Sequence, residues 1–160
     1  YFPDALNNLG NVYYKKMDYD RSSYYLKRSI NQNNKNNMAF HNLANTQKSM
    51  GFYKEAIFFY KKALEIQPKQ IESINGLGLT YYEVLQNKSG IECFELILEM
   101  DNKNYKAKRN LAIGYVKAGY LKKAIDLFKE ALEKLPNCIT CISYLIQLSA
   151  YNKNLDFGKK

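Results

Sequence analysis

The chain has 160 residues, of which 46% are hydrophobic and 24% charged, with only three prolines and eight glycines. That is the composition of a folded chain with a real core, and it excludes a disordered tail, a collagen-like chain and a low-complexity segment. The formal net charge is +9, but 21 of the 24 basic residues are Lys and only Arg21, Arg28 and Arg109 are Arg. Nucleic-acid readers rely on the planar Arg fork, so a nucleic-acid partner is not expected, and the Lys excess is shared with Asn, Tyr and Ile, the residues of A+T-rich codons.

Self-similarity at a fixed period organises the whole chain. Leu9, Leu43, Leu77, Leu111 and Leu145 stand 34 residues apart. The following position is small in the first four cases: Gly10, Ala44, Gly78 and Ala112. Leu26, Tyr60, Phe94 and Phe128 keep the same spacing, as do Ile30, Leu64, Leu98 and Leu132. The register divides the chain into residues 3–36, 37–70, 71–104 and 105–138, with a fifth unit begun at 139–160, and residues 1–160 read as one segment of a single array.

Each unit is expected to hold two helices. In the first unit, Leu9, Gly10 and Tyr13 mark the first helix, and Ser22, Leu26 and Ser29 the second. In the second unit, Phe40, Leu43, Ala44 and Gln47 fall at i, i+3, i+4 and i+7, which is one helical face. Ala56, Phe59, Tyr60, Ala63 and Leu64 share a face in the same way. Gly51 and Gly119 stand between helices, where a turn can use positive φ, and Pro68 and Pro136 follow second helices, where proline stops growth. The third unit has Leu77, Gly78, Tyr81, Gly90, Phe94 and Ile97; the fourth has Leu111, Ala112, Tyr115, Ala124, Phe128, Ala131 and Pro136. The small column has a packing reason: two helices approach closely only where a side chain is nearly absent, and a bulky partner residue fills the notch.

These columns resemble the tetratricopeptide repeat family, whose unit runs from a large residue through Leu-Gly and Tyr to Ala, an aromatic, Ala and Pro. The resemblance covers about the whole chain and implies an all-α, right-handed superhelical solenoid of antiparallel helix pairs, with four full repeats and the start of a fifth. Lys108 replaces a usual apolar residue and Ile97 a usual alanine, which implies local repacking. The family lines a concave groove with positions 2, 5, 6, 9, 12 and 13 of each unit. Carried over, the candidate peptide-groove residues are Asn7, Asn8, Asn11, Tyr14, His41, Asn42, Asn45, Lys48, Asn75, Tyr82, Arg109 and Asn110.

Asparagine dominates that set although it is a poor helix former, and an amide can both donate to and accept from an extended peptide backbone. Asn8, Asn42 and Asn110 resemble the asparagine ladder in the array of O-linked N-acetylglucosamine transferase; Gly76 breaks the series. The abundance of Asn elsewhere, as in Asn31, Asn33, Asn34, Asn36 and Asn37, is the competing explanation. The family's carboxylate clamp is not expected, because Asn7 stands in place of its Lys, and Glu72 and Gly76 in place of its last two groups. The acidic third unit lies between basic ones, and solvated helix faces account for that alternation.

The resemblance implies a non-enzymatic scaffold that holds an extended or helical segment of a partner protein within a larger complex in the cytoplasm, with a ciliary or nuclear assembly as variants. The alternative is the substrate-recognition arm of a glycosyltransferase-like enzyme whose catalytic domain lies elsewhere. Neither a cofactor nor a metal is expected: His41 is the sole histidine, and Cys138-Xaa-Xaa-Cys141 has no second cysteine pair and no βαβ setting, so it reads as structural or incidental. Cys93 is expected to be buried in a second helix. Asp156-Phe157-Gly158 imitates a kinase tripeptide without its companions. No apolar run is long enough to cross a bilayer, and no charged-then-apolar leader is visible; the chain, opening at Tyr1 without a methionine and closing at Gly158-Lys159-Lys160 inside an expected helix, reads as a segment of something longer.

Overall fold

The computed structural model describes residues 2–157, with side chains described over 2–150. Tyr1 and the closing Gly158-Lys159-Lys160 lie outside the described residues, and so does Gly158 of the kinase-like tripeptide. All regular structure among the described residues is helical: α1 (Pro3–Lys15), α2 (Tyr19–Gln32), α3 (Asn37–Ser49), α4 (Tyr53–Ile66), α5 (Ile71–Glu83), α6 (Asn87–Met100), α7 (Tyr105–Lys117), α8 (Leu121–Lys134) and α9 (Ile139–Phe157). No helix among the described residues is long and apolar enough to cross a membrane.

Two compact units divide the chain, Tyr1–Gln86 and Asn87–Lys160. In the first, α1 pairs with α2 and α3 with α4, α2 packs on α3, α4 on α5, and α1 and α3 touch their next odd-numbered neighbour. In the second, α7 pairs with α8, and α6 and α9 pack against α7 and α8 respectively.

Helix starts recur every 34 residues, and local chemistry sets them. Asn36 and Asn104 precede α3 and α7, and each side chain accepts from the backbone N–H three residues on, at 3.1 and 3.0 Å. Asp18 does the same for α2, accepting from Arg21 at 3.1 Å. Pro3 opens α1, where a missing N–H costs nothing.

The tight turns within pairs require positive φ at four positions in register: Met17 (61°), Gly51 (82°), Leu85 (59°) and Gly119 (82°). The sequence marks only the two glycines. Met17 and Leu85 take the same left-handed conformation against a Cβ penalty, and both side chains are exposed.

The bulky columns pack as the periodicity requires. Leu26, Tyr60, Phe94 and Phe128 are all fully buried. At Gly10 an added Cβ would stand 2.5 Å from Leu26 Cγ, so the notch is filled by the partner helix. The columns at Tyr13, Tyr81 and Tyr115 are half-buried rather than core. Tyr13 lies flat on Tyr25 with ring centroids 5.4 Å apart, and Tyr115 donates to Glu95 at 2.9 Å. The two departures in the sequence are absorbed locally. Ile97 is buried, and half-buried Lys108 spreads over the Tyr105 ring and pairs with Glu130. Cys93 is buried in α6.

Candidate functional site

The expected contact residues of the first unit fall on α1, α3 and α5, and hydrogen bonds tie many of them together. Asn42 donates to Asn7 at 2.9 Å, joining α3 to α1, and the Tyr14 hydroxyl bonds Ser49 at 3.2 Å. Asn7, Asn11, Tyr14, His41, Asn42, Asn45, Lys48 and Asn75 are half-buried, and Asn8 is exposed. Tyr82, by contrast, is only 5% exposed.

His41 stands at the middle of a directed chain. The Tyr60 hydroxyl donates to Asn45 Oδ1. The Asn45 amide then faces His41 Nε2 at 2.9 Å, and His41 Nδ1 lies 2.9 Å from Ser73 Oγ. Ser73 donates to Gln70 Oε1 at 2.8 Å, and Gln70 Nε2 approaches Met38 Sδ at 3.1 Å. The amide N–H can only donate, so Nε2 must accept, and the neutral ring carries its proton on Nδ1 and donates to Ser73. Burial holds the His41 pKa below the ordinary 6.5; Glu72 opposes this and Lys48 reinforces it. The family resemblance pointed to His41 and Asn45 but not to Tyr60, which its column marked only as core.

Gly76 owes its place to the same tyrosine. A Cβ there would stand 2.5–2.6 Å from Tyr60 Cζ, Cε1 and Oη. The asparagine series breaks at Gly76 because the Tyr60 ring occupies the space a side chain would need.

Beside this network, Lys48, Tyr53, Leu79 and Glu83 line a cleft of about 310 Å³. Burial lowers the Lys48 pKa, and the Glu83 carboxylate partly offsets that. Such a cleft offers a cation, an anion, a phenol and an apolar wall within one small volume.

In the second unit, Arg109 is half-buried on α7 and donates through Nε and Nη2 to Asn110 Oδ1 at 3.2 and 3.1 Å. Asn110 itself is 3% exposed, so it orients Arg109 more than it meets solvent. Lys106, Arg109, Lys134, Leu135, Pro136, Asn137 and Cys138 line a second cleft of about 380 Å³. Among the described residues no three His, Cys, Asp or Glu side chains gather in a way that could hold a metal ion.

The helix pairs, their 34-residue recurrence and the filled notches decide the architecture. The fold is that of a tetratricopeptide repeat array. The tetratricopeptide repeat model matches residues 39–70, which hold most of α3 and all of α4. No curated protein sequence matches the chain. Among solved structures, the chain is similar to "MamA 41-end from Desulfovibrio magneticus RS-1", with a TM-score of 0.87 at 16% identity over 94% of this chain and 85% of that one. It is also similar to YrrB, described as "a TPR protein with an unusual peptide-binding site", with a TM-score of 0.79 at 18% identity over 93% and 77%. A third similar structure comes from the "APC/C hetero-tetramer Cut9-Hcn1", with a TM-score of 0.83 at 17% identity over 92% of this chain but only 30% of that chain.

Proposed function

We propose that the array is a non-catalytic protein–protein interaction scaffold that holds an extended segment of a partner protein, within a larger assembly of the cytoplasm. Residues 1–160 are read as one segment of such an array. The odd-numbered helices of the first unit supply most contacts: Asn7, Asn8, Asn11, Tyr14, His41, Asn42, Asn45, Lys48 and Asn75, with buried Tyr82 behind them. Arg109, oriented by buried Asn110, adds a contact in the second unit.

The observation that carries this reading is the half-buried polar face of α1 and α3 beside the cleft at Lys48, Tyr53, Leu79 and Glu83. Side chains there are held by hydrogen bonds before any partner arrives, which lowers the ordering cost of binding. Amides read a peptide backbone whatever its sequence, while Lys48 and Glu83 select for charge. Structures of similar fold include one described as having a peptide-binding site and one from a hetero-tetramer, which is the use expected of this architecture.

A peptide array probed with the purified chain, followed by affinity measurement on the best binder, tests the reading. Exposed Asn8 and cleft-lining Lys48 are the informative positions. Lys48→Ala is expected to weaken the selected peptide by about tenfold, as expected for a partly desolvated charge contact, and Asn8→Ala by a few-fold. Affinity unchanged in both variants places the partner elsewhere and overturns the assignment.

A further inference from the structure

Cys138 occupies the position that Asn36 and Asn104 hold before α3 and α7. Its sulfur takes over the capping role, accepting from Cys141 N–H at 3.4 Å, while Ile142 N–H bonds its carbonyl at 3.1 Å. A thiol is a poorer cap than an amide, so helix stability does not explain the choice. Cys141 stands in the column of Ala39, Ser73 and Ala107, small residues that are all buried, and it is fully buried in the core of the second unit.

Three features converge on this pair. The two cysteines stand one helical turn apart at the start of α9, and the Cys138 sulfur accepts the Cys141 backbone N–H. The Arg109 guanidinium, braced by Asn110, lines one cleft with Cys138 from the neighbouring α7. Lys106, Arg109 and Lys134 line the cleft into which Cys138 opens, and among the described residues no carboxylate lines it. Burial alone would raise the Cys138 pKa, but Cys141 and the Arg109 guanidinium outweigh it and draw the thiol below its ordinary value. Burial and the neighbouring Cys138 push Cys141 up to about 12. The split is that of an attacking and a resolving cysteine. The lack of a βαβ setting does not bear on this local geometry, and Arg109, 29 residues upstream, is invisible to a motif reading.

We infer that Cys138 and Cys141 form a redox-active dithiol that exchanges with the disulfide of a small anionic thiol bound in the Lys106–Arg109–Lys134 cleft. The Cys138 thiolate, its proton released to solvent, attacks one sulfur of the small disulfide. The sulfur–sulfur bond breaks, and the far sulfur leaves with the bonding pair as a thiolate. Cys141 loses its proton to that thiolate through solvent and attacks the Cys138 sulfur. The mixed disulfide breaks, and the second small thiolate leaves and takes up the first proton. Two protein thiols become one disulfide, and one small disulfide becomes two thiols. Excess small thiol runs the sequence backwards.

Glutathione disulfide is the probe, with intact-mass spectrometry of the full chain as readout. The wild-type chain is expected to lose two hydrogens through a disulfide that peptide mapping places at Cys138–Cys141. Cys141→Ala, which restores the alanine of equivalent positions, is expected to stop at one glutathionyl group on Cys138. Iodoacetamide should alkylate Cys138 at least roughly tenfold faster than an unperturbed thiol at neutral pH, and Arg109→Gln should slow it several-fold with the helical circular dichroism unchanged. Cystamine, a cationic disulfide, should react more slowly than glutathione disulfide. Absence of the mapped disulfide, alkylation no faster than an ordinary thiol, or equal rates with Arg109→Gln would overturn the dithiol assignment. Faster reaction with cystamine would overturn the anionic ligand.

Discussion

At one repeat position the two units solve the same packing problem in opposite ways. In the first, Tyr60 is fully buried and its ring lies where a side chain at position 76 would begin, so α5 carries Gly76. In the second, Phe128 is fully buried and the equivalent position on α9 is Tyr144, which lies flat on it with centroids 5.1 Å apart and planes 11° apart. The difference is one hydroxyl. Tyr60 must deliver its O–H to Asn45, which pulls the ring across the next helix and leaves room only for glycine. Phe128 has no polar obligation and can accept an aromatic lid. The repeat frame fixes which positions meet; the polar chemistry of one member decides what its neighbour can be.

The largest expected effect comes from breaking that arrangement at its tightest point. Gly76→Ala places a methyl group inside the Tyr60 ring contact and should destabilise the chain by about 1–3 kcal/mol, the usual cost of overpacking. Urea denaturation would show it as a lower midpoint at unchanged slope. Tyr60→Leu introduces the residue that stands at position 26, opposite Asn42. It should cost stability alone, through a cavity and an unpaired Asn45, yet the double variant should lose less than the sum of the two. Strict additivity would mean that Gly76 and Tyr60 do not constrain each other.

Much of this architecture is legible in the sequence, because burial columns with a 34-residue period survive wide substitution. Leu26, Tyr60, Phe94 and Phe128 are identifiable as core from spacing alone, and so is the notch at Gly10. The polar chain is not legible in the same way. Nothing in the spacing says that the hydroxyl of a core tyrosine reaches Asn45, or that Ser73 on α5 and Gln70 just before it complete the chain from His41. Those links depend on side-chain direction across helices, whereas periodicity reports only which face a residue shares. That Arg109 and Cys138 line one cleft escapes sequence reading for the same reason. The repeat spacing does not separate the half-buried tyrosines at 13, 81 and 115 from core, since a half-buried aromatic has the same spacing as a buried one.

A smaller effect contrasts turns rather than cores. Gly51 and Gly119 adopt positive φ without penalty, while Met17 and Leu85 hold the same conformation with a Cβ. Both side chains are largely solvent-exposed, at 74% and 78%, so little packing is lost on removing them. Met17→Gly and Leu85→Gly should each stabilise by about 0.5–1 kcal/mol, the left-handed penalty less the entropy cost of glycine in the unfolded chain. A rise in thermal midpoint for each, roughly additive in the pair, would confirm that turn geometry rather than side-chain contact dictates these positions. A fall would mean that the exposed side chains do more than the backbone argument allows.

The smallest effect is the pH response that separates the first unit's polar chain from the apolar Phe128–Tyr144 stack. His41 is neutral in the folded chain because burial disfavours the charged ring, and its Nε2 must accept from Asn45. Its folded pKa therefore lies below the unfolded value near 6.5, so the unfolded chain binds the proton more readily between the two. The stability that His41 contributes is fully present above pH 6.5 and is lost as pH falls through that range toward the folded pKa. Protonation would put a donor at Nε2 facing the Asn45 amide, and Asn45 cannot simply rotate, because its oxygen receives the Tyr60 hydroxyl. Thermal unfolding followed from pH 7.5 down to 5 should show a decline that His41→Gln flattens. Tyr144→Phe, on the apolar stack of the second unit, should leave the decline intact, since the His41 ring bonds Ser73 and Asn45 and not Tyr144. A slope that persists in His41→Gln would assign it to carboxylates instead and remove the proton-sensitive distinction between the two arrangements.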